Sequence, residues 1–133
     1  LEAIVAEKTV IEKWHEFANG LTDLSKLADL LADDACFESP VVYSAQMGKE
    51  LTFKYLTAAA NVFSGNNFHY LNEWIGDSSA VLEFEATIDG VIVNGVDMIF
   101  WNSDNKINRF KVMVRPFKAI NLLMGLMAKQ LLK

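Results

Sequence analysis

Leu82-Glu83-Phe84-Glu85-Ala86-Thr87-Ile88-Asp89-Gly90-Val91-Ile92-Val93-Asn94-Gly95-Val96-Asp97 decides the fold. The Asp89-Gly90 pair lies between two apolar-rich runs, which is a strong signal for a two-residue hairpin. Asn94-Gly95 offers a competing turn, but it leaves only Val91 to Val93 as one arm. With the turn at Asp89-Gly90, Ile88 faces Val91, Ala86 faces Val93, Phe84 faces Gly95 and Leu82 faces Asp97. Side chains alternate across a strand, so Leu82, Phe84, Ala86 and Ile88 make one apolar face while Glu83 and Glu85 point the other way. Asp97 then falls on the core face. An ionised, unpaired carboxylate there would cost on the order of several kcal/mol, so Asp97 needs a proton, a hydrogen-bond partner or a cavity. Burial should raise its pKa. The alternative is a bulge at Gly95, which shifts the count by one and turns Asp97 outward.

Working outward, the chain alternates like strands near 67–75, 79–88, 91–101 and 106–114. Asn102-Ser103-Asp104-Asn105 supplies the last turn, setting Trp101 opposite Lys106 and Asp97 opposite Phe110. Arg109 and Lys111 then lie on the outer face, near Glu83 and Glu85. Upstream the period is helical. Ile4, Ile11, Trp14 and Ala18 predict a helix over 2–19 that Gly20 ends, and Thr22 or Asp23 can cap a short second helix through Leu31. Ala35 to Glu38 form a short strand stopped by Ser39-Pro40, and a third helix spans about 49–63. Pro116 opens a final helix to about 132, where its missing N–H costs nothing at the first position. Helices, a short strand, a helix, a four-strand antiparallel meander and a last helix make an α+β order.

A length of 133 residues suits one domain, 1–133, with no linker or repeat to divide it. At 52% hydrophobic and 22% charged, the chain is too apolar to be disordered. No apolar run approaches the ~18 residues of a membrane span. A net charge of −5 argues against nucleic acid as a partner. Residues 1–103 hold 5 basic and 16 acidic groups, whereas residues 104–133 hold 7 basic and 1 acidic, so the two parts should pair. The first residues lack a basic-then-apolar leader pattern, and a cytoplasmic location is the expectation. One Cys and two His without spaced carboxylates give no protein-held metal site, and no motif calls for a cofactor.

Asp97 is the leading candidate for acid–base or hydrogen-bonding work. His15 could reach the cavity mouth as a second proton carrier, and His69 lies on a strand whose register the Gly76-to-Ser79 turn leaves open. Trp14, Phe17, Tyr43, Tyr55, Leu82, Phe84, Trp101 and Phe110 are the bulky groups expected to line a cavity. Val96, Met98 and Phe100 oppose Asp97, Ile99 and Trp101 in parity, so this strand is apolar on both faces and both should be covered. A second subunit or the apolar C-terminal helix could cover the outer face; a homodimer is the expectation.

These residues resemble the nuclear transport factor 2-like superfamily, in its SnoaL-like and ketosteroid-isomerase-like branches. The matching pieces are Leu31-Ala32-Asp33-Asp34-Ala35-Cys36-Phe37-Glu38-Ser39-Pro40, Gly95-Val96-Asp97, Asp104-Asn105-Lys106-Ile107 and Val112-Met113-Val114-Arg115-Pro116. The resemblance implies a cone-shaped, curved antiparallel sheet wrapped around the N-terminal helices, enclosing an apolar pocket for a small hydrophobic molecule. It implies an isomerase, cyclase or hydratase acting on a carbonyl compound, or a binding or interaction module of the same fold. Where ketosteroid isomerases place a general-base Asp, this chain has Ser39. Where they place a phenol on the first helix, the nearest residue is Trp14. Their protonated, oxyanion-stabilising Asp matches Asp97. SnoaL-type cyclases, with a single pocket Asp, fit the same pattern.

Overall fold

Asp89 and Gly90 both take positive φ, 50° and 76°, as a tight primed hairpin turn requires. They join strand β4 (Ser79–Ile88) to β5 (Val91–Trp101). The pairing runs from Ile88 with Val91, through Phe84 with Gly95 and Leu82 with Asp97, to Ser79 with Phe100, without irregularity. Gly95 is thus no bulge. A Cβ on Gly95 would lie 2.5 Å from the Phe84 ring and 2.6 Å from the Met113 carbonyl oxygen. The position is glycine because the ring of Phe84 lies across it.

The computed structural model describes residues 7–133. Around the hairpin it sets helices α1 (Val10–Ala18) and α2 (Leu24–Leu30), strands β1 (Leu31–Glu38) and β2 (Gln46–Met47), helix α3 (Lys49–Phe63), strands β3 (His69–Ile75) and β6 (Ile107–Arg115), and helix α4 (Phe117–Leu131). One curved sheet has the order β2-β1-β6-β5-β4-β3. The sheet is mixed, not wholly antiparallel as expected, because β1 runs parallel to β6 with Phe37 beside Phe110. No hairpin links these two strands, so the burial of Ala35 and Phe37 sets their pairing.

Several boundaries move for local reasons. The expected helix over 2–19 begins at Val10, because Thr9 and Glu12 form a reciprocal capping box; its part at 1–6, with Ile4, lies outside the described residues. Asp23 caps α2 by accepting from the Ser25 and Lys26 N–H groups. β1 starts directly from α2, at Leu31 and not Ala35. Pro116 stands one position before the first helical residue. Asp97 faces Val112, not Phe110, and Trp101 faces Ile107, not Lys106. The Asn102 side chain causes this: its Oδ1 accepts from the Asp104 and Lys106 N–H groups, while an irregularity follows Phe100. The shift at Asp97 is two residues, so Asp97, Phe110 and Val112 keep their face, whereas Ile107, past the irregularity, turns to the core.

Leu82, Phe84, Ile99, Ile107 and Phe110 are almost wholly buried on the concave face, each adding about 1.5–3 kcal/mol by leaving water. Helices α1 and α2 pack on one part of this face, and α3 with α4 on the rest, where Ala119 and Leu123 meet Phe84 and Val93. Helix α4 therefore does not cover the outer face. There Trp74, Ile92 and Met113 stay exposed. Arg109 and Lys111 pair with Glu38 on β1 and not with Glu83 or Glu85.

Candidate functional site

Between the sheet and the helices lies a cavity of about 870 Å³ with a predominantly apolar wall. Trp14 and Phe17 enter from α1, Tyr55 from α3, and Phe84, Phe110, Val112 and Val114 from the sheet. Their inward direction follows from the hairpin register and from helical periodicity, which also buries Trp14 and Phe17 on one side of α1.

Asp97 is the single carboxylate on this wall, and no Lys, Arg or His accompanies it among the described residues. It is only 6% exposed. The Tyr70 hydroxyl donates to Asp97 Oδ2 at 2.6 Å, and Trp14 Nε1–H donates to the Tyr70 oxygen at 2.8 Å. Burial raises the Asp97 carboxyl to about 7, against the smaller opposing pull of the Tyr70 hydrogen bond. Burial, with the neighbouring Asp97, holds the Tyr70 phenol well above its ordinary value, so it stays a donor.

Not every expected residue joins Asp97. Tyr43 is fully exposed on the loop after Pro40 and lines nothing. Leu82 pairs with Asp97 across the strands, yet it is consumed in the core under α1 and α2. Trp101 packs against that same core, at the strand end away from the cavity. His15 pairs with Glu73 and meets the Tyr70 ring edge-on at 5.1 Å, outside the cavity. His69 opposes Glu85 on the outer face, its Nδ1 against the Asn67 carbonyl oxygen. Neither His reaches Asp97. Ser39 lies on the cavity wall, but its Oγ accepts from the Val41 and Val42 N–H groups and closes a turn. Cys36 is half-buried on β1 and its thiol is pushed up, mainly by burial. Among the described residues no cluster of three His, Cys, Asp or Glu could hold a metal ion.

Tyr70, the hydrogen-bond partner of Asp97, is a cavity residue that no sequence motif marks. Its direction depends on the pairing of Tyr70 with Phe84, which the open register of β3 concealed. Once His69 is assigned outward, alternation alone brings Tyr70 inward.

No family model matches the chain, and no curated protein does. Among solved structures, a steroid delta-isomerase from Pseudomonas aeruginosa is 32% identical, with a TM-score of 0.85, over 92% of this chain and 88% of that one. A cystatin-like-fold protein from Silicibacter pomeroyi is 30% identical, with a TM-score of 0.82, over 91% of this chain and 84% of that one. A nuclear transport factor 2-like protein from Mesorhizobium loti shares the fold at 20% identity and a TM-score of 0.69, over 80% and 91% of the two chains. The mixed sheet curved around its helices, with an apolar cavity inside it, defines a cone fold of the α+β class. This chain belongs to the nuclear transport factor 2-like superfamily.

Proposed function

We propose that the protein binds a small hydrophobic carbonyl compound, with its oxygen held by Asp97 and its carbon frame against the aromatic wall. The observation that carries this is a carboxyl that titrates near 7, inside an apolar cavity of about 870 Å³, with one oxygen already engaged by Tyr70. A neutral carboxylic acid in such a place donates a hydrogen bond and steadies charge that develops on a carbonyl oxygen. The likeness to a steroid delta-isomerase supports a ketone among possible ligands.

The chemistry this site adds is that of one acid–base group. The wall offers no second carboxylate or His among the described residues, and Ser39 stands where the resemblance implies a base. Binding with polarisation of the carbonyl is therefore favoured over full proton-transfer turnover. Calorimetry with trans-2-decalone and decalin, two bicyclic compounds of nearly equal size, tests it. The ketone should bind about tenfold tighter, the equivalent of one useful hydrogen bond. Equal binding of the two would overturn the role given to Asp97.

A further inference from the structure

We propose that Trp14 is a positioning residue: it sets the direction of the Trp14–Tyr70–Asp97 hydrogen-bond chain, so that the cavity selects ligands whose oxygen only accepts, as a ketone's does, over a hydroxyl that must also donate. The inference rests on the ligand-binding role given to Asp97 above and adds what chooses between ketone and alcohol.

An indole N–H only donates, so the Tyr70 oxygen must accept from Trp14. The single Tyr70 hydrogen then points to Asp97 Oδ2, which is held as an acceptor. A proton on the neutral carboxyl therefore resides on Oδ1. That oxygen has no hydrogen-bond partner among the described residues, and Asp97 lines the cavity. The site then offers a donor to a carbonyl oxygen while Asp97 is neutral, and an acceptor to a hydroxyl once it ionises. Charged and titratable groups around the chain do not reverse this direction. His15 and Glu73 face Tyr70 from α1 and β3 but pair with each other, and Tyr55 enters the cavity from α3.

Without the indole N–H, the Tyr70 hydroxyl is free to turn, accept the Asp97 proton and offer its own hydrogen to a ligand. Donation from Trp14 also makes the Tyr70 hydroxyl a stronger donor, because linked hydrogen bonds polarise one another. Trp14→Phe keeps an aromatic ring beside Phe17 and Phe110 while removing the donor together with the second ring of the indole, a packing loss that the Tyr70→Phe background carries equally.

The experiment follows the Asp97 carboxyl carbon by NMR across pH in wild type, Trp14→Phe, Tyr70→Phe and the double variant. It adds affinities for trans-2-decalone and trans-2-decalol at pH 6. Trp14→Phe should raise the Asp97 midpoint by about half a unit or more and cut the ketone-over-alcohol preference about fivefold. Tyr70→Phe should raise the midpoint by itself, and adding Trp14→Phe to it should then change nothing further. A Trp14→Phe protein with unchanged midpoint and preference overturns the proposal. So does an equal effect of Trp14→Phe in the Tyr70→Phe background, which marks a merely structural role. If Trp14→Phe does not fold, an unmoved midpoint in Tyr70→Phe overturns the chain. A wild type that binds neither compound overturns ligand selection and the binding role together, whereas the ligand-free titration still separates Trp14 from both.

Discussion

At Asp97 one proton links stability to binding. The native carboxyl titrates near 7 against an ordinary 3.8, so between these values the folded chain holds a proton that the unfolded chain has released. Stability from this group is therefore present below about pH 4, is lost as pH rises to about 7, and is level above. The loss is on the order of 4 kcal/mol at most. Asp97→Asn keeps an acceptor for Tyr70 and a donor toward the cavity but cannot ionise. Urea melts at pH 4, 6 and 8 should show the variant gaining on wild type as pH rises, and overtaking it by pH 8. A parallel pH profile in the two proteins would contradict a buried, neutral carboxyl. Ser39 gives the opposite kind of test, a gain. Its Oγ closes a turn and supplies no base. Ser39→Asp should increase isomerisation of a β,γ-unsaturated ketosteroid about a hundredfold, the scale of a general base. Followed by the ultraviolet absorbance of the conjugated ketone, no increase would show that the wall around Ser39 does not deliver a base to the ligand.

Elements show why part of this molecule is legible in the sequence and part is not. The Asp89-Gly90 turn fixes ten pairs of β4 and β5 because a two-residue loop leaves no freedom in register. That count puts Asp97 inward, and the register expected from the next turn agrees with it. The loop from Asn102 is longer, and its geometry depends on which N–H groups the Asn102 side chain captures. Its register therefore shifts by two residues, a slip that alternation forgives. Asn102→Ala should cost about 1–2 kcal/mol in urea unfolding by freeing those N–H groups, with the Asp97 midpoint unmoved. A shifted midpoint would mean that the turn, and not the hairpin, positions Asp97. The bond between β1 and β6 has no local signal at all, since parallel neighbours are joined only through the rest of the chain. Tyr70 shares that obscurity: an irregularity between Tyr70 and Asn72 breaks the alternation of β3.

For the molecule as a whole, the two faces of the sheet have different fates. The concave face is closed by helices around the cavity, while the outer face carries Val96, Met98 and Phe100 with exposed Trp74 and Met113. We expect a second copy to cover it. Two sheets stacked about an axis along β5 set β4 of one against β6 of the other, and Glu85 level with Arg115. Such charge complementarity favours self-association in one register. Sedimentation at micromolar concentration should give twice the 14.9 kDa chain mass, and Trp74→Glu should return it to the chain mass. A wild type of chain mass alone would contradict this. The central claim, though, is the neutral carboxyl that holds a carbonyl ligand, and its most direct measurement is the affinity for trans-2-decalone between pH 5.5 and 9. Wild type should weaken roughly tenfold per unit above its midpoint near 7, while Asp97→Asn should bind equally throughout. A wild-type affinity that does not change with pH, or an Asp97→Asn protein that follows the same curve, would contradict it.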